Sequence, residues 1–309
     1  MKFAVNYSPQ TFTLLKKGKI QFDLFKLPAW PKLITKIRGK YPCYVHLPLK
    51  VGRGKGVIDN ETKEPVKWKK IEKMLQKTDT PLVNLHVELA NKHHPDIPQD
   101  AVTPEHYERV VTQIIQDVRL AVQQFGGEKV IIENEHDGKG SQLKLNILPQ
   151  LYHDVIGETG CGFLLDLSHA RIAARALGQD EKAYVNALPV QHLRELHLTG
   201  IQWFGEDHIQ KVRAANLDEK WIEKISHNWM DHLPMTTEDW PMVQWAVGNI
   251  QSGAWHQPWV AALEYGGLGG FFGTFTDELV LLEQIPRLND ILHYGTSNTP
   301  ADSPFTQTG

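Results

Sequence analysis

Seven ionisable residues lie within or at the ends of short apolar runs: His46, His86, Glu88, Glu133, Asp166, His197 and Glu264. His169 follows Asp166 by three positions, and Asp231-His232 form an adjacent pair. A carboxylate or imidazole in such surroundings is costly to bury without a partner, and a divalent metal ion supplies one. The set mixes nitrogen and oxygen donors without sulfur, which suits zinc, iron(II) or manganese. Each residue alone has a plainer explanation. A lone histidine on an apolar strand is ordinarily a hydrogen-bonded core residue, Glu133 could pair with a lysine, and Asp166 could cap the following helix. Recurrence at so many separate strand ends is what those explanations leave unaccounted for.

Glu88 stands two residues after His86 on the same strand face, at the rim or behind the ligands, and Asn134 and Glu135 are supporting groups. His93, His94, His136, His153, His208 and His227 read as loop or surface residues.

The elements that must position these residues alternate. The run GFLLDLSHA over residues 162–170 reads as a buried parallel strand followed by a turn. Further strands are expected over residues 3–8, 20–25, 43–49, 82–89, 129–135, 193–200 and 259–265. Helices are expected over 31–38, 68–76, 103–124, 145–156, 170–177 and 276–293, with a helix start at 236–239. Thr103-Pro104 opens the longest helix and Gly126-Gly127 stops it. Residues 50–73 read mainly as a long, mixed-charge loop, and 201–233 carry no clear pattern. The alternation is that of a parallel α/β sheet. The length favours a single (β/α)8 TIM barrel, and no Gly-x-Gly-x-x-Gly follows the first strand. The barrel is assigned residues 1–294, and the Ser-, Thr- and Pro-rich residues 295–309 are expected to form a disordered tail. In such a barrel the carboxyl ends of all strands open on one mouth, so the ionisable residues would meet there.

The formal net charge of -3 gives no electrostatic basis for binding nucleic acid. Cys43 and Cys161 sit in apolar surroundings as buried free thiols, and no Cys-x-x-Cys zinc pattern occurs. No apolar stretch is long enough to span a membrane, and a cytoplasmic location is expected.

The series His46, His86, Glu133, Asp166-x-x-His169, His197, Asp231-His232 and Glu264 resembles the xylose-isomerase-like TIM-barrel superfamily. Two multinuclear branches share it: endonuclease IV, and the multinuclear non-haem iron-dependent oxidative enzymes that include a methanobactin-maturation enzyme. LLDLSHARIAARALG, YVNALPVQHLRELHLTG and ALEYGG are similar to blocks of the oxidative family, and the resemblance spans roughly residues 44–267. Two positions depart from it. His169 stands where the oxidative family usually has asparagine, as in the nuclease and isomerase pattern. Asp231 and His232 are adjacent where both families space the pair by one residue, and adjacent residues cannot chelate alike unless the local register shifts.

The resemblance implies two or three divalent ions, iron first and zinc or manganese next, held by His46, His86, Glu133, Asp166, His169, His197, Asp231, His232 and Glu264. Glu133, Glu264 and His169 would act on the substrate. Oxygen-dependent oxidation of a small-molecule or peptide substrate, often a cysteine-containing peptide, is the activity implied. A sugar isomerase or epimerase would need one ion on Glu133, Asp166, His197 and Glu264, with His169 on a substrate oxygen and the glutamates moving protons. An endonuclease IV-like hydrolase shares the ligands but lacks a basic surface. GGLGGFFG after Glu264 is either a set of tight turns or a substrate loop.

Overall fold

The computed structural model describes residues 1–136 and 142–294. Eight parallel strands make the barrel: β1 (Lys2–Asn6), β2 (Leu24–Pro28), β3 (Cys43–His46), β4 (Val83–Val87), β5 (Val130–Glu133), β6 (Gly162–Asp166), β7 (Leu193–Leu198) and β8 (Val260–Leu263). The pairing runs β3-β2-β1-β8-β7-β6-β5-β4. The chain itself carries the remaining seam. After β3 it breaks at Leu47-Pro48 and resumes as Leu49–Val51, which pairs in parallel with β4. The Asn84 side chain holds the break: its Oδ1 accepts from Leu47 N at 2.7 Å and its Nδ2 donates to Leu47 O at 3.0 Å.

The barrel strands alternate as period-two geometry requires, except at the start of β7, where a bulge lies between Leu193 and Glu195. Phe25, Leu27, Val45, Leu85, Val87, Ile132, Phe163, Leu165, Leu196, Leu198 and Leu263 point outward into the main core under the helices. The inward positions divide by height. Ala4, Leu24, Tyr44, Val260 and Ala262 form one apolar cluster, and Leu82, Ile131 and Leu164 another. Towards the carboxyl ends the inward residues become Lys26, His46, Asn84, His86, Glu133, Asp166, Glu195, His197 and Glu264. The barrel interior is therefore apolar at one end and ionisable at the other.

Several expected boundaries shift. The second strand is not residues 20–25 but Leu24–Pro28. Ile20, 2% exposed, packs into the core before the strand begins. The strand expected over 43–49 is split at Pro48, which has no N–H for a ladder. Residues 50–73 are only partly loop: Ile58–Asp59 and Glu64–Pro65 form an antiparallel hairpin, and the helix runs Trp68–Thr78. Helix Leu167–Leu177 begins directly after β6 instead of at residue 170. The illegible stretch 201–233 holds an antiparallel pair, Gly200–Trp203 with Trp229–Leu233, and two helices, Glu206–Ala214 and Glu219–Ile225, with a small core of their own. Both cysteines are buried free thiols. Among the described residues no helix is long and apolar enough to cross a membrane. The expected tail, residues 295–309, lies outside the described residues.

Replacing Asn84 with alanine would leave the buried N–H and C=O of Leu47 without partners. A loss of about 2–3 kcal/mol of stability is expected in urea unfolding of the metal-free protein, and a loss below about 0.5 kcal/mol would contradict this role for the amide.

Candidate metal centre

In-register parallel pairing brings the ionisable residues together. His86 is the register partner of Glu133, and Asp166 that of His197. Partners in a parallel pair project to the same side, so each pair meets inside the barrel. His46, at the end of β3, completes a first triad with His86 and Glu133; its ring centroid lies 4.9 Å from that of His86. A second triad is His136, His169 and Asp231, and a third is Asp166, His197 and Glu264. Glu133, Asp166 and His169 form a further group that links the first to the others. Within each group one donor atom from every residue lies within 4.8 Å of the rest.

Asp231 and His232 reach the same cavity despite being adjacent. They lie on the strand Trp229–Leu233, not on a loop as expected. Gly200 pairs with Leu233 and Gln202 with Met230, so Ile201 alone stands opposite both residues. His232 has φ +57°, the left-handed conformation that accommodates the extra residue of such a bulge. Both side chains therefore face the mouth: His232 Nε2 lies 3.4 Å from Asp231 Oδ2 and 3.9 Å from Glu264 Oε2. A non-glycine residue held at positive φ costs of order 1 kcal/mol, which surrounding structure must offset.

The histidines are oriented as ligands. His169 Nδ1–H donates to the carbonyl of Asn134 at 2.8 Å, and His232 Nδ1–H donates to the carbonyl of Glu264 at 2.8 Å. Each leaves Nε2 towards the cavity, the arrangement by which backbone carbonyls fix the tautomer of metal-binding imidazoles. His197 is held the other way round. Its Nε2 lies 2.9 Å from Glu195 Oε1, which also accepts from Tyr44 Oη at 2.8 Å, and its Nδ1 points to Glu133 and Glu264, at 3.4 Å from each. Asp166 serves two purposes at once. Its Oδ1 caps helix Leu167–Leu177 by accepting from His169 N at 2.8 Å, while Oδ2 faces the cavity. The Asn134 amide brackets Asp166 through both backbone groups. Glu135 is 3.8 Å from His86 Nδ1 and is held by Lys50 at 3.1 Å.

The residues present fit a metal. Asp166 Oδ2 and His197 Nδ1 are buried polar atoms without a hydrogen-bond partner, and Glu133 Oε2 has the His86 ring beside it, Nδ1 at 2.9 Å. Unpaired atoms converging with a carboxylate on one buried space are expensive unless a cation coordinates them. Burial acts to raise the Glu133 carboxyl, but the neighbouring His86 and His197 outweigh it and hold the group well below the usual carboxylate range. Burial opposes ionisation of Asp231 too, and His232, His169 and His136 overcome it, again pulling the carboxyl down. Burial lowers His46 and His232. It acts in the same direction on His169, where Asp166 and Asp231 override it and raise the imidazole well above its ordinary value. His197 is also raised: Glu133 and Glu195 outweigh burial and Lys26.

All nine residues expected at the site converge on the mouth. Glu88 does not join them. It is held by Arg53 Nε at 2.8 Å on the rim. His136, set aside as a loop histidine, lies beside His169 with ring centroids 4.8 Å apart. Lys26 and Glu195 were missed altogether. Lys26 is 4% exposed, donates to Glu264 Oε1 and lies 3.1 Å from His197 Nε2. Burial lowers its ammonium to about 8 against the pull of Glu195, Glu133 and Asp166. A signal for Glu195 was present: it precedes His197 by two residues and so shares its face. Above the triads a cavity of about 430 Å³ opens to solvent past Trp30, Lys50, Gly267, Leu268 and Phe272. The expected glycine-rich loop thus forms one of its walls.

Comparison with known proteins decides the family. The model of the family described as the RiPP precursor modification enzyme MbnB/TglH/ChrH matches residues 26–218, well over half of the chain. The chain belongs to this family. The match holds six of the nine expected residues and stops before Asp231, His232 and Glu264. A UPF0276 protein of Acaryochloris marina is 31% identical over 109 residues, 35% of this chain and 38% of that protein. One of Caulobacter vibrioides is 25% identical over 171 residues, 53% of this chain and 56% of that protein. The matched part therefore spans about two fifths to just over half of these relatives' length. Among solved structures, a xylose isomerase domain containing protein of Salmonella typhimurium LT2 has a TM-score of 0.52 at 14% identity, covering 94% of this chain and 97% of that one. D-Psicose 3-epimerase of Clostridium cellulolyticum H10 has a TM-score of 0.52 at 14% identity, covering 95% and 99%. These likenesses establish the fold. Family membership and the His/Asp/Glu clusters support a metal-dependent TIM-barrel enzyme of the MbnB/TglH/ChrH family.

Two outcomes are expected. Glu133→Gln keeps the shape of the side chain but removes charge from the group linking the triads, so metal content should fall by at least about tenfold in affinity with the circular dichroism spectrum retained. Unchanged metal content would show the site to be misplaced. Ligation also requires His169, whose imidazole Asp166 and Asp231 hold well above its ordinary value, to give up its proton, so affinity should climb as pH rises through that value. Calorimetric titration with a divalent ion at pH 7, repeated in buffers of different ionisation enthalpy, should show net proton release. Heats independent of buffer would contradict it.

Proposed function

We propose that this chain is an iron- and oxygen-dependent enzyme that oxidises a residue of a peptide substrate at the barrel mouth. The observation that carries the proposal is the convergence of more donors than one ion can use: three triads from different strands, together with buried donor atoms left without protein partners. Family membership supports the peptide, since the family is described as modifying RiPP precursors. The resemblance to the oxidative branch favours iron over zinc or manganese and a cysteine as the residue acted on.

His46, His86 and Glu133 would hold one ion, and His169, Asp231 and His232, with His136 beside them, a second. Bound iron(II) would supply electrons and a site for oxygen. The chain's own part is to fix the imidazole tautomers through Asn134, Glu264 and Glu195, and to present carboxylates that remain ionised. The cavity walls of Trp30, Leu268 and Phe272 offer apolar contact to a peptide side chain. Glu133, Glu264 and His169 face the space a substrate would enter and are the groups proposed to act on it. No nucleic acid partner is proposed, and the two free buried thiols suit the cytoplasm.

A mononuclear sugar isomerase or epimerase is the second possibility. Glu133, Asp166, His197 and Glu264 lie close enough to serve it, as the short distances from His197 Nδ1 indicate. It gives no role to His46, His86, Asp231 or His232, all of which point into the same space.

The test is protein purified without chelators, its metals counted, and then incubated aerobically after iron(II) loading with cysteine-containing peptides and, separately, with ketohexoses. Two or more irons per chain and an oxygen-dependent mass change in a peptide are expected. One manganese or magnesium with interconversion of a sugar would replace this proposal by the isomerase, and hydrolysis of a phosphodiester by a zinc-loaded protein would replace it by the hydrolase.

A further inference from the structure

We infer that a basic groove beside the barrel mouth, walled by Lys50, Arg53, Lys55, Lys63 and Lys92, binds an acidic segment of the peptide substrate. The inference rests on the peptide reading above and names the chemistry that would seat the peptide.

The groove encloses about 460 Å³ and shares Lys50 and Asn60 with the wall of the mouth cavity, so the two are continuous. Its cations come from separate pieces of chain. Arg53 and Lys55 alternate with Gly52, Gly54 and Gly56 at φ +88°, +71° and +72°, a backbone path that favours glycine at those three positions. The run is pinned at its base. Gly52 N donates to Asp117 Oδ2 at 2.9 Å, and the Gly52 carbonyl lies 2.7 Å from His94 Nε2. Lys63 ends the turn between Ile58–Asp59 and Glu64–Pro65 at φ +61°, a conformation unfavourable for a residue with a side chain. Lys92 lies on the short helical turn Asn91–His93.

Positive charge here exceeds its compensation. Among the described residues Glu88 is the one carboxylate in the groove's wall, and Arg53 engages it. Glu135 takes Lys50 at 3.1 Å, Lys70 takes nearby Asp59 at 3.1 Å, and Glu61 lines the mouth cavity instead. Lys55, Lys63 and Lys92 are exposed and form no ion pair among the described residues. Lys63 Nζ and Arg53 Nη2 share one neutral acceptor, Asn60 Oδ1, at 2.9 and 3.0 Å. Two cations that meet on one amide oxygen repel each other, and an anion beside them removes that cost. His93, in the same wall, has a buried Nε2 with no hydrogen-bond partner among the described residues.

A carboxylate-bearing peptide suits this groove better than a nucleic acid. Its wall holds no Phe, Tyr or Trp on which a base could stack, and the chain as a whole carries a net charge of -3. At roughly 3.3 Å per extended residue, acidic side chains a few positions from the residue at the metal centre would reach the lysines.

The experiment measures binding to the full chain by fluorescence anisotropy at low ionic strength. The probes are two labelled peptides that differ only in the residues beside a central cysteine, glutamates in one and glutamines in the other. Wild type is compared with Lys55→Gln/Lys63→Gln/Lys92→Gln and with the same three lysines changed to arginine. The wild type is expected to bind the glutamate peptide about tenfold more tightly, the glutamine variant to lose that preference and the arginine variant to keep it. Added salt should erase the preference. Equal binding of the two peptides by the wild type would overturn the inference. So would an undiminished preference in the folded glutamine variant, the result expected if the glutamates only coordinate metal. A single-stranded oligonucleotide held through the same lysines more tightly than the glutamate peptide would also overturn it. Should the triple variant not fold, Lys55→Gln/Lys92→Gln gives the same comparison. Binding is read without turnover, so a chain that keeps the preference yet oxidises no peptide refutes the reaction proposed above and not the groove.

Discussion

Uncompensated charge inside the barrel is the constraint on which the rest of this structure depends. Carboxylates that are almost fully buried, with Asp166 at 0% and Glu133 at 2% exposure, converge where proteins normally place apolar side chains. Ionised groups in such a place shift their protonation, pair, or bind a cation. Here the protein moves in all three directions. Asp231 and Glu133 are held ionised, His169 is pulled towards its protonated form between two carboxylates, and Lys26, its ammonium lowered to about 8 by burial, pairs with Glu264. Atoms without partners still remain, and these define the space a metal would fill.

The architecture makes this arrangement affordable by separating two functions along each strand. One face of every strand feeds the outer core under the helices, and the other carries a polar layer above an apolar floor. Parallel register then sets neighbouring donors side by side without further design. Where register does not suffice, local devices appear: the Asn84 amide across the break after β3, and the bulge that turns adjacent Asp231 and His232 to one face. Asp166 shows how economical the layout is, with one carboxylate oxygen ending a helix and the other entering the site.

The sequence revealed the barrel, and the nine expected residues do meet at its mouth, because period-two apolar patterning punctuated by an imidazole or carboxylate is a strong local signal. Lys26 was hidden for the same physical reason that makes it informative. A lysine within an apolar run argues against a buried strand unless its partners are known, and those partners, Glu264 and His197, are distant in sequence. The second strand was accordingly placed too early, at an apolar alternation that packs Ile20 before the strand begins. Asp231 and His232 were identified as a pair, but a bulge depends on the opposing strand, Gly200–Trp203, in a region whose pattern was illegible. His136 follows a strand end by three residues with no apolar context, so only its neighbour His169 reveals it. Family membership narrows the chemistry, yet the family match ends before the last three donors, and these are joined to the others by the fold.

The most direct test of the account is anomalous X-ray scattering at the iron edge from crystals loaded with iron(II) without oxygen. Peaks are predicted between His46, His86 and Glu133 and beside His169, Asp231 and His232, with Lys26 still on Glu264. Absence of any peak at the barrel mouth, with iron bound elsewhere or not at all, would contradict the central claim that these buried donors form a metal centre.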